Sequence, residues 1–306
     1  MQRIDESRVF IQKLVQNPPV LPLEPTLLPK LFSVTRDNSP ASTNEIVALI
    51  EHSQTLTARI LTLANSASYG LRFKVTTLQR AVTILGTAEI RLLAIFVAVS
   101  SFINQTKLPK CFDAAGIWKH QLSVACIVKS LAIEYANACA LHSPTDTHKN
   151  APLVATPSEM YVMGLLHDLG KFCIASRRPD IWEQIEELRE KENIPLVEAE
   201  TQFWGIDHSL VGATLLHNWN LPQTLTDPIT WHHTPDLMPV YSVEANLLAA
   251  ANIISHQAFE ENTSLCEEAV SLLPSTCDTA VLESTVKATL EARNDEEFLN
   301  LIAPVQ

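Results

Sequence analysis

The sequence predicts an all-α protein, and three observations carry this prediction. Only 7 of the 306 residues are glycine while 46% are hydrophobic. The apolar residues recur at helical spacing, with few alternating runs of β-branched residues. The 18 prolines gather between apolar segments, as in the connections of a helical fold. We therefore expect a largely helical chain that folds as one large domain or two moderate ones.

Charge and composition argue against several classes of function. The net charge is −12 and the sequence pI about 5.3, so nucleic acid is not expected as a partner. The six cysteines form no C-x-x-C pair, which is typical of buried, reduced thiols in a cytosolic protein. The N-terminus is too polar for a signal peptide, and the longest apolar run, residues 92–103, is shorter than the roughly 20 residues that span a bilayer. We expect a soluble, cytoplasmic protein with no membrane partner.

The first elements of the chain have clear local signals. Residues 1–17 predict a short helix, and the proline-rich run 18–25 interrupts it. Ser42 and Glu45 form a capping box, which predicts a helix from that point. The next helix is expected over Thr55–Ser68, with Gly70 as its C-terminal stop.

Two further helices of the N-terminal half are predicted to meet at a glycine. The first places Leu78, Val82 and Leu85 on one face and stops at Gly86. The second is a very apolar helix capped by Thr87 and running through Ile103, which we expect at the centre of this half.

The middle of the chain contains the residues with the strongest chemical signal. A helix opens at Trp118-Lys-His120 and runs to about Ala138, and the polar segment 139–156 predicts a surface loop. Thr156 and Glu159 form a second capping box around Pro157, which begins the helix that carries His167 and Asp168. Further helices are predicted over Pro179–Glu192, Pro195–Trp204, a segment capped by Asp207 that contains His208, Pro222–His233 and Ser242–Gln257, with one or two outer helices in 259–306.

A histidine followed by an aspartate in an apolar segment requires a partner for both side chains. A metal ion or a closed hydrogen-bond network would each provide one. Several other histidines also lie in or beside apolar helices, so a convergent metal site is one interpretation and satisfied core histidines are the other. Imidazole with carboxylate suits iron, manganese, nickel or zinc better than calcium. These histidines are His120, His167, His208, His217, His232, His233 and His256.

Four motifs in order resemble the HDOD family of bacterial signalling proteins, whose domain is related to the HD phosphohydrolases. The resemblance covers roughly residues 18–258 and implies an N-terminal helical bundle packed on an HD-like helical core. The domain organisation is then a helix over 1–17, an HDOD domain over 18–258 divided into 18–110 and 111–258, and a helical extension over 259–306. The motifs are Leu63-Ala-Asn-Ser-Ala-Ser-Tyr-Gly-Leu71, Ala81-Val-Thr-Ile-Leu-Gly86, Trp118-Lys-His120 and Gly164-Leu-Leu-His-Asp-Leu-Gly-Lys171.

The resemblance implies a set of metal ligands, with Lys171 in the position of a lysine that assists the leaving group in HD-GYP phosphodiesterases. Two positions depart from that pattern: Asn252 stands where an aspartate is expected, and Gly116 where HD-GYP enzymes have a glutamate. Two negative charges are therefore missing around His120. The implied ligands are His120, His167, Asp168, His208, His232, His233 and Asn252.

Two functions follow as hypotheses. The first is a non-catalytic signalling module that binds a protein partner or a small nucleotide ligand. The second is a metal-dependent phosphohydrolase acting on a nucleotide or cyclic dinucleotide, with Lys171 supplying a proton. A single bound ion is expected nearer Asp168, His208 and His232 than His120. Lys171 could instead be a cation at a helix C-terminus, and His233 could point to solvent.

Overall fold

The computed structural model describes residues 2–19, 26–36, 39–66, 69–104, 107–141, 153–238, 240–259, 265–273 and 279–292. Within these ranges the chain forms fifteen α-helices and no strand, which confirms the predicted all-α class. The helices are α1 Gln2–Gln16, α2 Leu27–Thr35, α3 Thr43–Ile50, α4 Gln54–Ala64, α5 Leu78–Asn104, α6 Ala114–Leu141, α7 Pro157–Leu166, α8 Leu169–Arg177, α9 Pro179–Glu192, α10 Leu196–Trp204, α11 His208–Asn218, α12 Gln223–Thr230, α13 Ser242–Phe259, α14 Glu267–Leu272 and α15 Thr279–Ala292.

The helices fall into two compact units. The small unit contains α2–α5, from Pro19–Thr106, together with the short segment Trp219–Leu221. The large unit contains α1 and α6–α15, and its chain segments are Met1–Pro18, Lys107–Asn218 and Pro222–Asn294. The histidines and the aspartate named above all lie in the large unit.

In the small unit, α5 packs against α2, α3 and α4. Gly86 has a φ of +79° inside α5, a backbone conformation that L side chains rarely adopt, so it breaks the helix at the predicted position. The capping box of Ser42 and Glu45 is confirmed, since each residue's side chain accepts the other's backbone N–H. The unit's core consists of buried aliphatic residues that include Leu31, Ile50, Leu56, Ile60, Ala81 and Ile90.

The predicted end of α4 at Gly70 is wrong. The helix ends at Ala64, because the side chain of Asn65 binds the Leu61 carbonyl and both backbone groups of Val75. Those bonds draw the chain out of the helix five residues before Gly70, which instead adopts a φ of +55° in the following loop. The predicted start of α6 is also too late, since the helix begins at Ala114.

In the large unit, α7 is the central helix, with every residue from Glu159 to Leu166 buried. Its capping box, formed by Thr156 and Glu159, is confirmed. Gly164 allows α7 to approach α6 closely: a Cβ there would lie 2.4 Å from the Ala125 Cα. The end of α7 is thereby fixed in the middle of the unit.

Two helices, Leu78–Val99 and Ala114–Ala140, are long and apolar enough to cross a membrane by length and composition alone. The first is longer than the apolar run seen in the sequence, because its range also includes the helical segment before the break at Gly86. At least half of the most apolar stretch of each helix is buried inside the protein. Such burial is typical of core helices of a helical domain.

Candidate metal centre

His167 and Asp168 occupy a helix junction. The helix predicted to carry both residues is two helices, because α7 ends at Leu166 and α8 begins at Leu169. Asp168 has φ −99° and ψ 8°, outside the helical geometry, which turns its carboxylate away from the helical path. Both side chains are buried, His167 fully and Asp168 to 1% exposure. The junction therefore holds a carboxylate and an imidazole in the core.

Four polar groups surround the carboxylate of Asp168. Lys171 Nζ lies 2.6 Å from Oδ2, and His208 Nε2 lies 3.0 Å from Oδ1. His167 Nε2 and His120 Nε2 lie 3.4 and 3.7 Å from Oδ2. Lys171 is in the first turn of α8, so its interpretation as a cation at a helix C-terminus is wrong. Asp168 is the common neighbour of side chains contributed by α6, α8 and α11.

Three histidines present Nε2 toward the interior of this cluster because Nδ1 is already bound. A backbone carbonyl can only accept, so Nδ1 carries the proton in His167 and His232, and the neutral ring then has its lone pair on Nε2. His208 donates Nδ1–H to a buried carboxylate in the same way. The acceptors are the Gly164 carbonyl at 2.8 Å for His167, the Ile229 carbonyl at 2.7 Å for His232 and Glu200 Oε2 at 2.7 Å for His208.

His232 and His233 lie beyond the end of the helix predicted to contain them, since α12 ends at Thr230. The turn that follows brings His233 Nε2 to 3.0 Å from His208 Nε2, so His233 does not simply point to solvent. The potential ligand atoms form two groups, each within 4.8 Å: one of His208, His232 and His233, and one of His120, His167 and Asp168.

His120 has a different environment from the other histidines. Its Nε2 lies 2.9 Å from Asn252 Oδ1, and its Nδ1 lies 3.1 Å from the hydroxyl of Ser255. With Nε2–H donating to the amide oxygen and Nδ1 accepting from the hydroxyl, both ring nitrogens are satisfied. His256, four residues after Asn252, stacks on the ring with centroids 4.3 Å apart. This side of the cluster is a closed hydrogen-bond network.

The protonation states follow from burial and charge. Burial lowers the pKa of His120 to about 3 and that of His232 to about 4, so both rings are neutral at pH 7. Burial opposes the charged form of His208 as well, but the carboxylates of Glu200 and Asp168 outweigh it and raise the pKa to about 9. Burial also disfavours ionised Asp168, yet His167 and Lys171 lower the pKa of Asp168 well below its usual value.

The residues present fit a transition-metal ion. Within the described part of the chain, Nε2 of His167 and Nε2 of His232 have no hydrogen-bond partner, although the two side chains are at most 1% exposed. Buried polar atoms are nearly always satisfied, so two unpartnered imidazole nitrogens beside a carboxylate indicate a site for a ligand. Imidazoles oriented through Nδ1 by a carbonyl or carboxylate are the usual metal-binding arrangement.

Glu200 is a site residue that the sequence reasoning missed. Its side chain is fully buried, and Oε2 accepts from both Nδ1 and the backbone N–H of His208. One signal was available: Glu200 lies on the face of α10 that also presents the buried Phe203 and Trp204, where a lone carboxylate needs a partner.

The structure brings all seven implied ligands and Lys171 into one cluster, while other histidines lie outside it. His52 and His217 are exposed, and His142 and His148 lie outside the described residues. The five cysteines of the described residues are free thiols, and the expectation that they are buried is wrong for all but Cys173. Burial raises the pKa of Cys173 to about 12.

The fold and this cluster define a helical protein with an HD-type histidine–aspartate site. The chain matches the HDOD domain family over residues 21–235, and it belongs to that family. A protein of Treponema pallidum (strain Nichols), named "Uncharacterized protein", is 25% identical over 232 residues, which cover 75% of this chain and 41% of that protein. The chain thus spans less than half the length of this relative.

Solved structures share the fold. The "Putative phosphohydrolase" from Shewanella amazonensis is 24% identical, with a TM-score of 0.72 over 96% of this chain and 98% of that one. The "HDOD domain protein with unknown function" from Geobacter sulfurreducens is 23% identical, with a TM-score of 0.70 over 98% and 96%. The "Putative signal transduction protein" from Marinobacter aquaeolei is 16% identical, with a TM-score of 0.71 over 99% and 66%.

Proposed function

We propose that this protein is a non-catalytic signalling module of the HDOD family, which acts in the bacterial cytoplasm by binding a protein partner. An ion in the histidine–aspartate cluster would then hold helices together instead of carrying out chemistry. The single observation that carries this proposal is the hydrogen-bonded pair of His120 and Asn252 at 2.9 Å.

The pair of His120 and Asn252 argues against two-metal phosphoester chemistry. A two-metal site clamps the attacking and leaving oxygens between two ions about 4 Å apart, and anionic ligands offset the repulsion between the two cations. On the His120 side the added ligand is an uncharged amide, and the imidazole is satisfied by Asn252 and Ser255. At most one ion is therefore expected, on the other side of Asp168.

The cleft beside the cluster also disfavours a nucleotide. A cavity of about 540 Å³ opens next to His232, His233 and Asn252. Among the described residues that line it, the carboxylates are Asp236 and Glu268, and none is a lysine or arginine. A polyphosphate entering this cleft would meet like charge, and like charges raise the free energy of binding.

The residues that would hold an ion are Asp168 with His167, His208 and His232. When bound, a transition-metal ion there would supply Lewis-acid polarisation and an acidic bound water. These ligands belong to the α7–α8 junction, the start of α11 and the turn after α12, so binding would join three separate parts of the large unit. At a free ion concentration a hundred times its Kd, this adds about 2.7 kcal/mol to the free energy of unfolding.

The alternative is a metal-dependent phosphohydrolase. It is favoured by one observation, the pair of Lys171 and Asp168 at 2.6 Å, because a buried ammonium beside the carboxylate could donate a proton to a leaving alkoxide. The similarity in fold to a protein named "Putative phosphohydrolase" is consistent with it.

Metal content and turnover decide between these functions. Elemental analysis of protein purified without added metal or chelator is expected to find no more than one transition-metal ion per chain. The ion should be lost in Asp168→Ala and His167→Ala and retained in the control His217→Ala, whose side chain is exposed. Nucleotides and cyclic dinucleotides should not be hydrolysed with iron, manganese, nickel or zinc added. Metal-dependent turnover that disappears in Asp168→Ala would overturn the proposal.

A further inference from the structure

The loop between α4 and α5 exposes an aromatic side chain. Phe73 is 74% exposed, the highest value for a large apolar residue in the described part of the chain, and Leu71 is 38% exposed. Burying an aromatic ring is among the largest apolar gains available to a side chain, so leaving it in water is unfavourable unless a partner covers it. We call residues 69–74 the Phe73 loop.

Hydrogen bonds from the side chain of Asn65 hold the end of the Phe73 loop in place. Asn65 Oδ1 accepts from the Val75 N–H at 2.8 Å, and Asn65 Nδ2 donates to the Val75 carbonyl at 2.9 Å. Nδ2 also donates to the Leu61 carbonyl at 2.7 Å, and Val75 is only 3% exposed. The backbone is therefore fixed at Val75, directly after the exposed residues. A surface ordered in advance loses less conformational entropy when it binds.

Basic side chains accompany the exposed aromatic ring. Arg72, Lys74 and Arg80 are all exposed, and none forms an ion pair with another described residue. Residues 69–80 contain these three basic residues and no Asp or Glu, whereas the whole chain has a net charge of −12. The Phe73 loop and the start of α5 are thus a basic segment in an acidic protein.

We propose that the Phe73 loop is a docking surface for an acidic segment of a partner protein. An apolar side chain of that segment packs on Phe73 and Leu71, and its carboxylates pair with Arg72 and Lys74. Aromatic and arginine residues are enriched at the centres of interfaces, and charge complementarity selects the partner. This inference rests on the proposed function, a module that acts by binding a protein.

Charge complementarity favours this occupant over an anionic lipid surface. A membrane with anionic lipids attracts clusters of basic residues, but it repels the rest of a chain whose net charge is −12. A peptide segment is small enough to contact the Phe73 loop without approaching the acidic remainder of the protein. Binding to it should therefore weaken with added salt, since the contributing charges are exposed.

The experiment uses the full chain and a random peptide library displayed on phage. Selected peptides are expected to combine glutamate or aspartate with leucine or an aromatic residue. Synthetic versions should bind about tenfold more weakly to Phe73→Ala and to the double variant Arg72→Glu, Lys74→Glu. The matched control is Lys30→Glu with Arg36→Glu, which makes the same charge change at exposed positions of the same unit and should bind normally.

Four results would overturn the inference. Two are the selection of neutral or basic peptides and equal binding to all variants. Another is binding to phosphatidylserine vesicles that Phe73→Ala abolishes, which would make a lipid surface the occupant. The last is self-association in sedimentation that Phe73→Ala abolishes, which would make a second copy the occupant. Nucleotide turnover would refute the proposed function and leave these binding results unchanged, so the two failures are distinguishable.

Discussion

Glu200 binds His208 through two hydrogen bonds to the same carboxylate oxygen. Oε2 accepts from Nδ1 at 2.7 Å and from the backbone N–H at 3.0 Å, and both residues are at most 1% exposed. The first bond orients the imidazole so that Nε2 faces Asp168. The second satisfies an N–H at the start of α11 that has no acceptor within the helix. One buried carboxylate thus fixes both a helix start and a ligand.

Glu200→Gln is expected to lower the affinity for a transition-metal ion about 10- to 100-fold, the usual effect of removing a group that orients a ligand. The amide keeps the shape of the side chain but removes the negative charge beside His208. The measurement is a titration of metal-free protein with cobalt or zinc. Glu198→Gln is the control, since Glu198 lies on the exposed face of the same helix. Equal losses in both variants would contradict the assigned role.

Asn252→Asp is expected to create a binding position for a second ion on the His120 side. The substitution restores one of the two missing negative charges, and a carboxylate is a stronger ligand than an amide oxygen. Elemental analysis after dialysis against manganese should find more metal in the variant than in the parent protein. Gln257→Glu adds the same charge to α13 outside the cluster and should change nothing. Two ions in the parent protein would show that the amide is no obstacle.

Gly170→Ala is expected to destabilise the protein by about 3 kcal/mol, at the upper end for overpacking. A Cβ at Gly170 would lie 1.9 Å from the His208 carbonyl oxygen and 2.7 Å from the Gly212 nitrogen, both backbone atoms of α11. Urea denaturation gives the free energy of unfolding. Gly116→Ala serves for comparison, because its Cβ would meet only the flexible side chain of Asp113. A change of less than about 1 kcal/mol is expected there.

Asn65→Ala is expected to lower the free energy of unfolding by about 1–3 kcal/mol, the range for partly buried backbone groups left without partners. The substitution removes the acceptor of the Val75 N–H and the donor to its carbonyl. Thermal denaturation provides the measurement. Asn44→Ala removes only an exposed contact of 3.4 Å with Gln79 and should stay within about 0.5 kcal/mol. Similar effects for both asparagines would argue against the role of Asn65 in holding the Phe73 loop.

Signals that act within one helical turn were predictable from the sequence. The two capping boxes, the break at Gly86 and the cap at Asp207 are all confirmed. The end of α4 was mispredicted because Asn65 bonds to Val75, ten residues away, and this contact depends on how the loop folds. These capped starts and this break follow from local patterns, whereas the start of α6 was predicted too late and the end of α4 depends on a tertiary contact.

The candidate site was predictable as a set of residues but not as a geometry. The order of the motifs identifies Asp168 and its histidine neighbours as candidates, and the structure brings these residues together. The sequence did not indicate that Asp168 lies between two helices, since the segment has no proline and its apolar residues fit one continuous helix. Asp168 occupies the N-cap position of α8, but its side chain makes no cap hydrogen bond. Nor did it pair Glu200 with His208, which requires the turn between α10 and α11.

The close approach of α8 and α11 limits which substitutions this chain can accept during evolution. At Gly170 the two backbones touch beside the carbonyl of His208. The packing that keeps the protein folded therefore also fixes the backbone position from which the His208 side chain extends. Selection for a stable fold alone would then preserve the backbone position of His208, even in a protein that had lost any chemistry at this site. The position of this histidine in related chains would reflect folding as much as activity.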